Sequence, residues 1–324
     1  MSRLSLAVHR GEGGLGNGAQ VWHGEAVSQP TVVALGNFDG VHRGHQAAIA
    51  QLVALGGGIP TVVSFDPHPR EFFSGQPRLW LTPLPEKAQC LGALGVAQLV
   101  VLPFDESLAR RSAAEFIEIL QDQLQAQGIC VGEDFRFGWQ RQGTVADLRR
   151  VWGDRLRVLP AQTHRSTPDD PPVRISSSAI RTALERGEME LAKELLGRPY
   201  SLTGEVVPGR QNGRRLGFPT ANLHLHPKKF RPRPGVYSGW VRELGLPAAI
   251  NLGQRPTLEG RGEPTVEAHV LDWQGDLYGQ TLTVSLDRFL RPEQKFASLP
   301  DLQAQIARDC AAVRRYAGEV LVGT

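Results

Sequence analysis

The ten residues GNFDGVHRGH, at positions 36–45, mark the junction from which the fold of the first half of this chain can be predicted. They follow a short apolar run, TVVAL (31–35), whose β-branched residues predict a buried strand. After them, apolar residues recur at helical spacing up to residue 55. The stretch therefore joins a strand to a helix, and its glycines let the backbone approach a ligand closely. Backbone N–H groups at the start of a helix point outward, so this junction predicts a phosphate-binding site.

Two histidines of this stretch, His42 and His45, lie three residues apart, on one face of the first helical turn. A single histidine in a chain is most often a core or surface residue. Two imidazoles at a helix start framed by the glycines Gly36 and Gly40 are instead typical of a catalytic site. We therefore predict that His42 and His45 donate hydrogen bonds to the charge that develops on a phosphate under attack.

Outside this stretch, the first half alternates between strand-like and helix-like patterns. Ser112 is a predicted N-cap, with Glu115 three residues later as in a capping box. Strands that alternate with helices predict a parallel sheet covered by helices on both faces. The predicted strands lie at 60–65, 98–102 and 128–131, and the predicted helices lie at 85–94 and 112–125.

Three polar segments accompany this sheet: FDPHP (65–69) and VGEDFRFG (131–138) follow strands, and ISSSAIR (175–181) enters a helix. Each segment alone is a common feature of turns and helix caps. Ligands bind at the carboxyl ends of parallel strands, so a single ligand could contact all three segments. The hydroxyl and guanidinium groups that could bind a triphosphate here are Ser176, Ser177 and Arg181.

From residue 200 the pattern changes to short β-like runs without intervening helices, which predicts an antiparallel barrel. A helical pattern at 298–320 closes the chain, with Ser298 and Asp301 at its start. The β-like runs lie at 202–207, 236–241, 248–252, 266–271 and 280–286.

Two short helical patterns, 177–185 and 188–196, are separated by Gly187 and are expected to connect the two halves. The segment before them, 163–172, is polar and rich in proline and aspartate, so it is expected to be a loop. We predict an α/β domain over residues 1–185 and a barrel domain over residues 186–324.

The segment GRQNGRRLGFPTANL, residues 209–223, holds Gly209, Gly213 and Gly217, enough for a flexible loop that faces a phosphate. It is not a Walker A loop, because no Gly-Lys dipeptide occurs in the chain. In an extended segment Thr220 and Asn222 would point to one side, where their oxygens could hold Mg²⁺ and a phosphate oxygen. The composition fits a glycine-rich hairpin equally well.

Glu267 lies in VEAHVLDW, residues 266–273. In a strand, Glu267 and His269 project to one side and the apolar residues at 266, 268 and 270 to the other. A carboxylate on a barrel face is usually only solvated. Near a nucleotide it could accept the proton of an attacking hydroxyl. The sequence pattern leaves both interpretations open.

These motifs, in this order, resemble a family. GNFDGVHRGH, FDPHP, VGEDFRFG and ISSSAIR are similar to the FMN adenylyltransferase module of bacterial bifunctional riboflavin kinase/FAD synthetases. The segments GRRLGFPTANL, INLGQRPT, VEAHVLDW and FLRPEQKF resemble the riboflavin kinase module. The resemblance implies a Rossmann-like HxGH nucleotidyltransferase domain, then a small antiparallel barrel with a C-terminal helix. It further implies that ATP and riboflavin give FMN and ADP, and that ATP and FMN give FAD and diphosphate, with Mg²⁺.

The resemblance also implies roles for individual residues. His42, His45 and Arg181 would stabilise charge while the FMN phosphate attacks the α-phosphorus of ATP. Glu267 would be the base on the ribityl 5′-hydroxyl. Thr220 and Asn222 would bind Mg²⁺ and ATP phosphate. Residues implied to bind nucleotide or flavin, or to close that side, are Gly36, Phe38, Asp39, Gly40, Pro67, Asp134, Ser176, Ser177, Gly209, Gly213, Gly217, Asn251, Arg288 and the 291–293 corner.

Composition argues against several other classes of protein. The formal net charge is only +3 and no long basic run occurs, so nucleic acid is not a predicted partner. Cys90, Cys130 and Cys310 form no Cys-x-x-Cys pair, which argues against a zinc site and a disulfide framework. No apolar stretch approaches the roughly 18 residues of a membrane span. We predict a cytoplasmic enzyme whose partners are small molecules, and the oligomeric state stays open.

Two segments carry no predicted role. The basic cluster at 228–233 is expected to be a solvated loop, with an anionic phosphate patch as the alternative. The first thirty residues hold no motif, and the glycine-rich segment 11–18 is expected to be a mobile loop.

Two other functions compete with flavin synthesis. An HxGH nucleotidyltransferase could act on a different substrate, but the PTAN and VEAH segments would then have no task. A non-catalytic flavin- or nucleotide-binding regulator would keep the glycines and could lose the polar catalytic groups. His42, His45, Asn222 and Glu267 are all present, which disfavours that alternative.

Overall fold

The computed structural model describes residues 19–23, 27–209, 213, 216–254 and 264–322. It divides into two compact units, Met1–Arg165 with Pro171–Ser177, and Ser166–Asp170 with Ser178–Thr324. The predicted functional boundary between residues 185 and 186 stays a prediction. The glycine-rich segment 11–18 lies outside the described residues.

The first unit is built on parallel strands: β1 Gln20–His23, β2 Thr31–Leu35, β3 Ile59–Asp66, β4 Gln98–Pro103, β5 Ala126–Gly132 and β6 Leu156–Leu159. Their order in the sheet is β1-β4-β3-β2-β5-β6. The chain adds β3 and β4 on one side of β2 and then crosses to the other side for β5. The switch point therefore lies between β2 and β5, and the loops after these strands open where ligands of such sheets bind.

The helices of this unit are α1 Arg43–Leu55, α2 Pro69–Ser74, α3 Leu84–Gly92, α4 Glu106–Ala109, α5 Ala113–Glu118 and α6 Val145–Trp152. One turn of π-helix, Ile119–Gln123, continues α5. The predicted capping box of Ser112 and Glu115 at the start of α5 is confirmed. Within the segment predicted as a loop, Thr163–His164 (β7) instead pairs with Val173–Arg174 (β8).

Strand β2 is buried on both faces, which explains why its sequence is continuously apolar. Val33 and Leu35 pack into the core that includes residues of α5 and α6. Val32 and Ala34 pack into the core that includes residues of α1 and α3. Successive residues of a strand point to opposite faces, so one strand serves both cores. The predicted α/β class of this unit is confirmed.

The second unit contains helices and an antiparallel sheet: α7 Ser177–Arg186, α8 Met189–Leu196, β9 Tyr200–Val207, β10 Ala221–Leu225, β11 Gly235–Val241, β12 Leu246–Gln254, β13 Pro264–Val270, β14 Thr281–Leu286, β15 Arg288–Arg291 and α9 Leu299–Val322. The first residue of α7, Ser177, is assigned to the first unit. The order β12-β13-β10-β9-β14-β11 closes into a barrel because β11 also pairs with β12, and β15 extends it from β11. The predicted barrel is confirmed. The sequence patterns do not predict β10 and β15, which are short.

The wall of the barrel alternates between an apolar inner face and a polar outer face. Val266, Ala268 and Val270 of β13 are buried, whereas Glu267 and His269 between them are partly exposed. Strand β12 has the same alternation, with every second residue buried from 248 to 252. Glu267 therefore lies on the outer face of the barrel, as the predicted alternation requires.

Helix α9 covers part of this outer face. Ile306, Cys310 and Val313 pack with Leu271 and Ala249, so the apolar stripe of the helix lies against the wall. Ser298 Oγ accepts a hydrogen bond from Asp301 N–H at 3.2 Å and caps the helix as predicted. At 24 residues α9 is long, yet across the described ranges no helix combines the length and apolarity needed to cross a bilayer.

The basic cluster at 228–233 differs from the predicted solvated loop at one position. Lys229 is only 1% exposed, and its ammonium lies 4.6 Å from the centroid of the Tyr200 ring. The contact is a cation–π interaction, in which the aromatic face attracts the charge. The prediction is wrong for Lys229, because its side chain is part of the packed unit.

Two residues of α6 test the assignment of the first core. Leu148 is fully buried, and Val151 on the same helix is 40% exposed. We expect Leu148→Ala to lower the free energy of unfolding of the first unit by about 2–5 kcal/mol, because it leaves a cavity. Val151→Ala should change it by no more than roughly 0.5 kcal/mol. Urea unfolding with hydrogen exchange of α6 amides measures both, and equal losses would contradict the assigned core.

Candidate active sites

The loop between β2 and α1 makes a tight turn with an unusual backbone. Phe38 and Val41 take positive φ angles, 48° and 43°, and Gly40 takes 85°. Positive φ is rare for residues with a side chain and unfavourable for a β-branched one. Both side chains are buried in the core, Phe38 at 3% and Val41 at 1% exposure. Packing therefore holds a conformation that the loop residues do not favour by themselves.

The two predicted histidines lie together at the start of α1. His42 is the N-cap, and its Nδ1 accepts the backbone N–H of His45 at 3.3 Å. The imidazole rings stack with centroids 3.5 Å apart, and the His45 ring also contacts Phe38 at 4.8 Å. Because Nδ1 acts as an acceptor, the proton of a neutral His42 is on Nε2, which can donate to a ligand. As the three-residue spacing predicts, the two imidazoles lie side by side at the N-terminus of α1.

Side chains from distant parts of the chain hold the backbone of this loop. Ser177 Oγ donates to the Asp39 carbonyl at 2.8 Å. Gly40 N–H donates to Thr82 Oγ1 at 2.8 Å, and Thr82 N–H donates to the Asp39 carboxylate at 3.2 Å. The structure therefore brings Asp39 and Ser177 together, with contacts that fix the loop. Thr82 has no motif around it, and the sequence analysis missed it.

Lys87, also missed by sequence reasoning, lies behind the same loop. It is 3% exposed, and its Nζ donates to the Asn37 carbonyl at 2.8 Å and to Ser64 Oγ at 3.1 Å. The ammonium also lies 4.5 Å from the centroid of the Trp80 ring. Burial lowers the pKa of Lys87 to about 8, against the opposing influence of the Asp39 and Asp66 carboxylates.

The remaining predicted residues of the adenylyltransferase site lie as follows. Pro67 follows β3 after a cis peptide bond, in the loop that leads into α2. The Asp134 carboxylate pairs with Arg174 at 2.5 Å, and this hydrogen bond lowers the pKa of Asp134. Ser176 immediately precedes α7. Arg181 belongs to the second unit, where its guanidinium lies 5.6 Å from the Phe230 ring, and its role in phosphate binding stays a prediction.

A cavity of about 390 Å³ lies beside the outer face of the barrel in the second unit. Thr220, Asn251 and Glu267 line one side of it, and Ile306 and Asp309 of α9 line another. Its volume is in the range of small-molecule sites, roughly 300–1,000 Å³. Six residues predicted for the kinase site therefore share one cavity: Gly213, Thr220, Asn251, Glu267, Arg291 and Glu293.

The pairing of the strands places polar side chains in a row along this wall. Glu267 of β13 lies directly opposite Asn222 of β10 and directly opposite Asn251 of β12. Directly opposed residues of paired strands project to the same face. Thr220, two residues before Asn222, lines the cavity with Asn251 and Glu267, so hydroxyl, amide and carboxylate oxygens border it.

These oxygens fit a magnesium ion, a hard cation that prefers oxygen ligands. Glycine is required beside them, because a Cβ at Gly209 would overlap the amide of Asn222. No cluster of three or more histidine, cysteine, aspartate or glutamate side chains suited to a metal occurs in the part of the chain that the structure describes. The hydroxyl oxygen of Thr220 and the amide oxygen of Asn222 are neutral oxygen ligands, which differ from those four residue types.

Glycine is also favoured at the other two glycine positions of the predicted phosphate loop. A Cβ at Gly213 would overlap the carbonyl of Phe218, and Gly217 has a φ of 84°. Both conditions favour glycine. Residues 210–212 and 214–215, which complete the predicted loop, lie outside the described residues.

A buried ion pair borders the cavity on the side of α9. The Arg291 guanidinium binds the Asp309 carboxylate in a bidentate manner: Nε donates to Oδ1 at 3.0 Å and Nη2 donates to Oδ2 at 2.7 Å. Gln305 donates to the same carboxylate at 2.9 Å. The sequence analysis placed Arg291 at the flavin side and missed Asp309. A signal was present, because Asp309 interrupts the apolar stripe of α9 between Ile306 and Val313.

Arg288, predicted to bind flavin, lies away from this cavity. Its guanidinium is 4.9 Å from the centroid of the Tyr316 ring, and it lines a separate cavity with Asp287. Burial raises the pKa of Asp287 to about 6. The flavin-binding role of Arg288 stays a prediction.

Comparisons with known proteins identify the family of each half of the chain. A family model described as FAD synthetase matches residues 24–177, and one described as Riboflavin kinase matches residues 196–317. A bifunctional riboflavin kinase/FMN adenylyltransferase of Pseudomonas fluorescens is 41% identical over 293 residues, which cover 88% of this chain and 93% of that protein. The Escherichia coli (strain K12) protein of that description is 39% identical over 302 residues, covering 91% and 95%.

A solved structure shows the same architecture over most of the chain. The crystal structure described as a macrolide-efflux protein from Streptococcus pneumoniae has a TM-score of 0.78 and 29% identity, and covers 90% of this chain and 95% of its own. The word efflux in that description applies to that protein alone. The two matched models define a two-domain transferase. This chain belongs to the family of bifunctional riboflavin kinase/FMN adenylyltransferases, and the predicted order of its modules is confirmed.

The contact between Gly209 and Asn222 can be tested by adding one methyl group. We expect Gly209→Ala to displace the Asn222 amide and lower riboflavin phosphorylation at least about tenfold, because a shift of a positioning group by about 1 Å is costly. Formation of FAD from supplied FMN should be unchanged. Gly318→Ala on α9 is the matched control, since a Cβ there meets nothing within 4 Å. Full kinase activity in Gly209→Ala would show that this contact does not matter.

Proposed function

We propose that each unit carries one of the two activities at the residues described above. The parallel-sheet unit would form FAD from FMN and ATP at the loop between β2 and α1. The barrel would form FMN from riboflavin and ATP at the cavity beside β10, β13 and β12. The observation that carries the proposal is the row of Asn222, Glu267 and Asn251 across three paired strands.

In the kinase reaction, the ribityl 5′-hydroxyl of riboflavin attacks the γ-phosphorus of ATP. The new O–P bond forms as the bond from the γ-phosphorus to ADP breaks, and Glu267 accepts the hydroxyl proton. Glu267 suits this role because it faces the cavity and is flanked by amides rather than by other carboxylates. Apolar residues of the cavity, among them Phe218, Phe296 and Ile306, would contact the flavin ring.

Thr220 and Asn222 would hold Mg²⁺ in the barrel site. The ion, when bound, neutralises charge on the ATP phosphates. Gly209 leaves space for the Asn222 amide, and the glycine-rich segment 209–217 would cover the phosphates.

In the adenylyltransferase reaction, a phosphate oxygen of FMN attacks the α-phosphorus of ATP and diphosphate leaves. No covalent intermediate with the protein is required. The helix N-terminus of α1 favours negative charge, and His42 Nε2–H and the His45 imidazole would donate to the phosphate as charge develops. Ser176 would contribute a further hydrogen bond. A cytoplasmic location is part of the same proposal.

Replacing Glu267 tests the base in the kinase reaction. We expect Glu267→Gln to reduce FMN formation from riboflavin by at least about a hundredfold, since general base catalysis contributes roughly 10²–10⁴-fold. Conversion of supplied FMN to FAD should be unchanged. Separation of the flavins by chromatography measures both activities. Glu205→Gln, an exposed glutamate of β9, is the control, and normal FMN formation in Glu267→Gln would exclude the proposed role.

Replacing His45 tests the adenylyltransferase site in the same way. Loss of one preorganised donor typically costs about a hundred- to a thousandfold in rate, so His45→Ala should depress FAD formation by that amount. Riboflavin phosphorylation should remain, because it takes place on the barrel. Gln51→Ala, an exposed residue of α1, should affect neither activity. An equal loss of both activities in His45→Ala would indicate misfolding rather than a site.

A further inference from the structure

Lys87 is a buried charge for which the proposed chemistry has no task. Its side chain lies on the inner face of α3, in the apolar stripe with Ala88 and Leu91. Taking an ammonium group out of water is costly unless it is well paired and hydrogen-bonded. An apolar residue at this position would serve the core at lower cost, so the charge calls for a reason beyond packing.

The contacts of Lys87 lead to the backbone of the loop that carries the histidines. Its Nζ donates to the Asn37 carbonyl at 2.8 Å and to Ser64 Oγ at 3.1 Å. Ser64 in turn donates to the same Asn37 carbonyl at 3.3 Å. Asn37 directly precedes Phe38, the first residue of the loop with a positive φ. Lys87 therefore hydrogen-bonds to the loop directly before its first residue with a positive φ.

Lys87 differs from the other groups that hold this loop. Thr82 and Ser177 contact residues 39 and 40 through neutral hydroxyls. Lys87 is the only one of these three residues with a positive charge. It contacts the loop from the core, and the opposite side of the loop would face the phosphates. The charged groups that face the ammonium are the Asp39 and Asp66 carboxylates, and Trp80 covers it with its ring.

We propose that Lys87 is a positioning residue for adenylyl transfer, which fixes the loop between β2 and α1 and adds positive charge behind its phosphate-binding face. The inference rests on the proposed placement of adenylyl transfer at this loop. It extends that proposal, because Lys87 touches neither ATP nor FMN in this role. The charge acts through the loop and through space on the phosphates.

Two substitutions in the full chain separate the charge from the packing. We expect Lys87→Met to lower kcat/KM for FAD formation at least about tenfold, mainly through KM for ATP, with riboflavin phosphorylation unchanged as the internal control. Lys87→Arg keeps the charge and should recover most of the loss. Gln89→Met, on the exposed face of the same helix, should leave FAD formation as it is. Adenylylation at the normal level in Lys87→Met would overturn the proposal.

The pH dependence gives a readout that a purely structural role would not move. Below pH about 8 the Lys87 ammonium keeps its proton, and above that pH the neutral amine loses the charge while it can still donate hydrogen bonds. FAD formation by the unchanged chain should therefore decline as the pH rises through about 8, and Lys87→Arg should lack this decline. If Lys87→Met fails to fold, Lys87→Arg decides alone, and a decline equal to that of the unchanged chain would overturn the proposal.

The histidine variant distinguishes failure of this inference from failure of the proposed site. Normal FAD formation in His45→Ala would remove the adenylyltransferase reaction from this loop altogether. A depressed rate in His45→Ala together with a normal rate in Lys87→Met would leave the site in place and reject only the role of Lys87.

Discussion

The loop between β2 and α1 has a backbone conformation that its own residues do not favour, and the placement of the paired histidines depends on it. Phe38 and Val41 both take positive φ angles, which costs free energy for residues with a Cβ. Burial of these two side chains, together with hydrogen bonds donated by Ser177 and Lys87 and one accepted by Thr82, holds the loop in place. Because His42 follows Val41 directly, the start of α1 is positioned by the same contacts.

In the barrel, the alternation of side chains along each strand positions the site residues. Strands β12 and β13 each have one face for the core and one for the cavity, so β13 can bury Val266 and Ala268 while it presents Glu267. A shift of one residue in the pairing would send Glu267 into the core and expose its apolar neighbours. The register that protects the core is therefore also the register that aligns Glu267 with Asn222 and Asn251. Helix α9 then closes one side of the cavity and anchors it with the pair of Arg291 and Asp309.

Much of the fold and of both sites could be predicted, because the signals are local. The spacing of His42 and His45 places them on one helical turn, and their rings stack in the structure. The two-residue spacing of Glu267 and His269 predicts a shared face, which the burial of Val266, Ala268 and Val270 matches. The class of each unit followed from the alternation of strands and helices in the first half and its absence in the second.

Other residues carried only weak signals. Lys87 and Asp309 each stand as a charged residue within an apolar helical stripe, a pattern that indicates a buried ionic contact without naming the partner. Thr82 had no signal, since its partners Asp39 and Gly40 are far away in sequence. Arg288 is close in sequence to Arg291, which lines the barrel cavity, yet its own side chain lines a different cavity.

The order of the elements, the class of each unit, and the residue types at strand ends and on strand faces could all be predicted from local patterns. Periodicity is a property of neighbouring residues, so it does not depend on knowing the fold. The folded chain was needed to show that Lys87, Thr82 and Ser177 meet at one loop, and that Asn222, Glu267 and Asn251 form a row. Those contacts arise from strand order and register. Both depend on how segments distant in sequence bury their apolar surface together, so no single stretch of sequence shows which residues will meet.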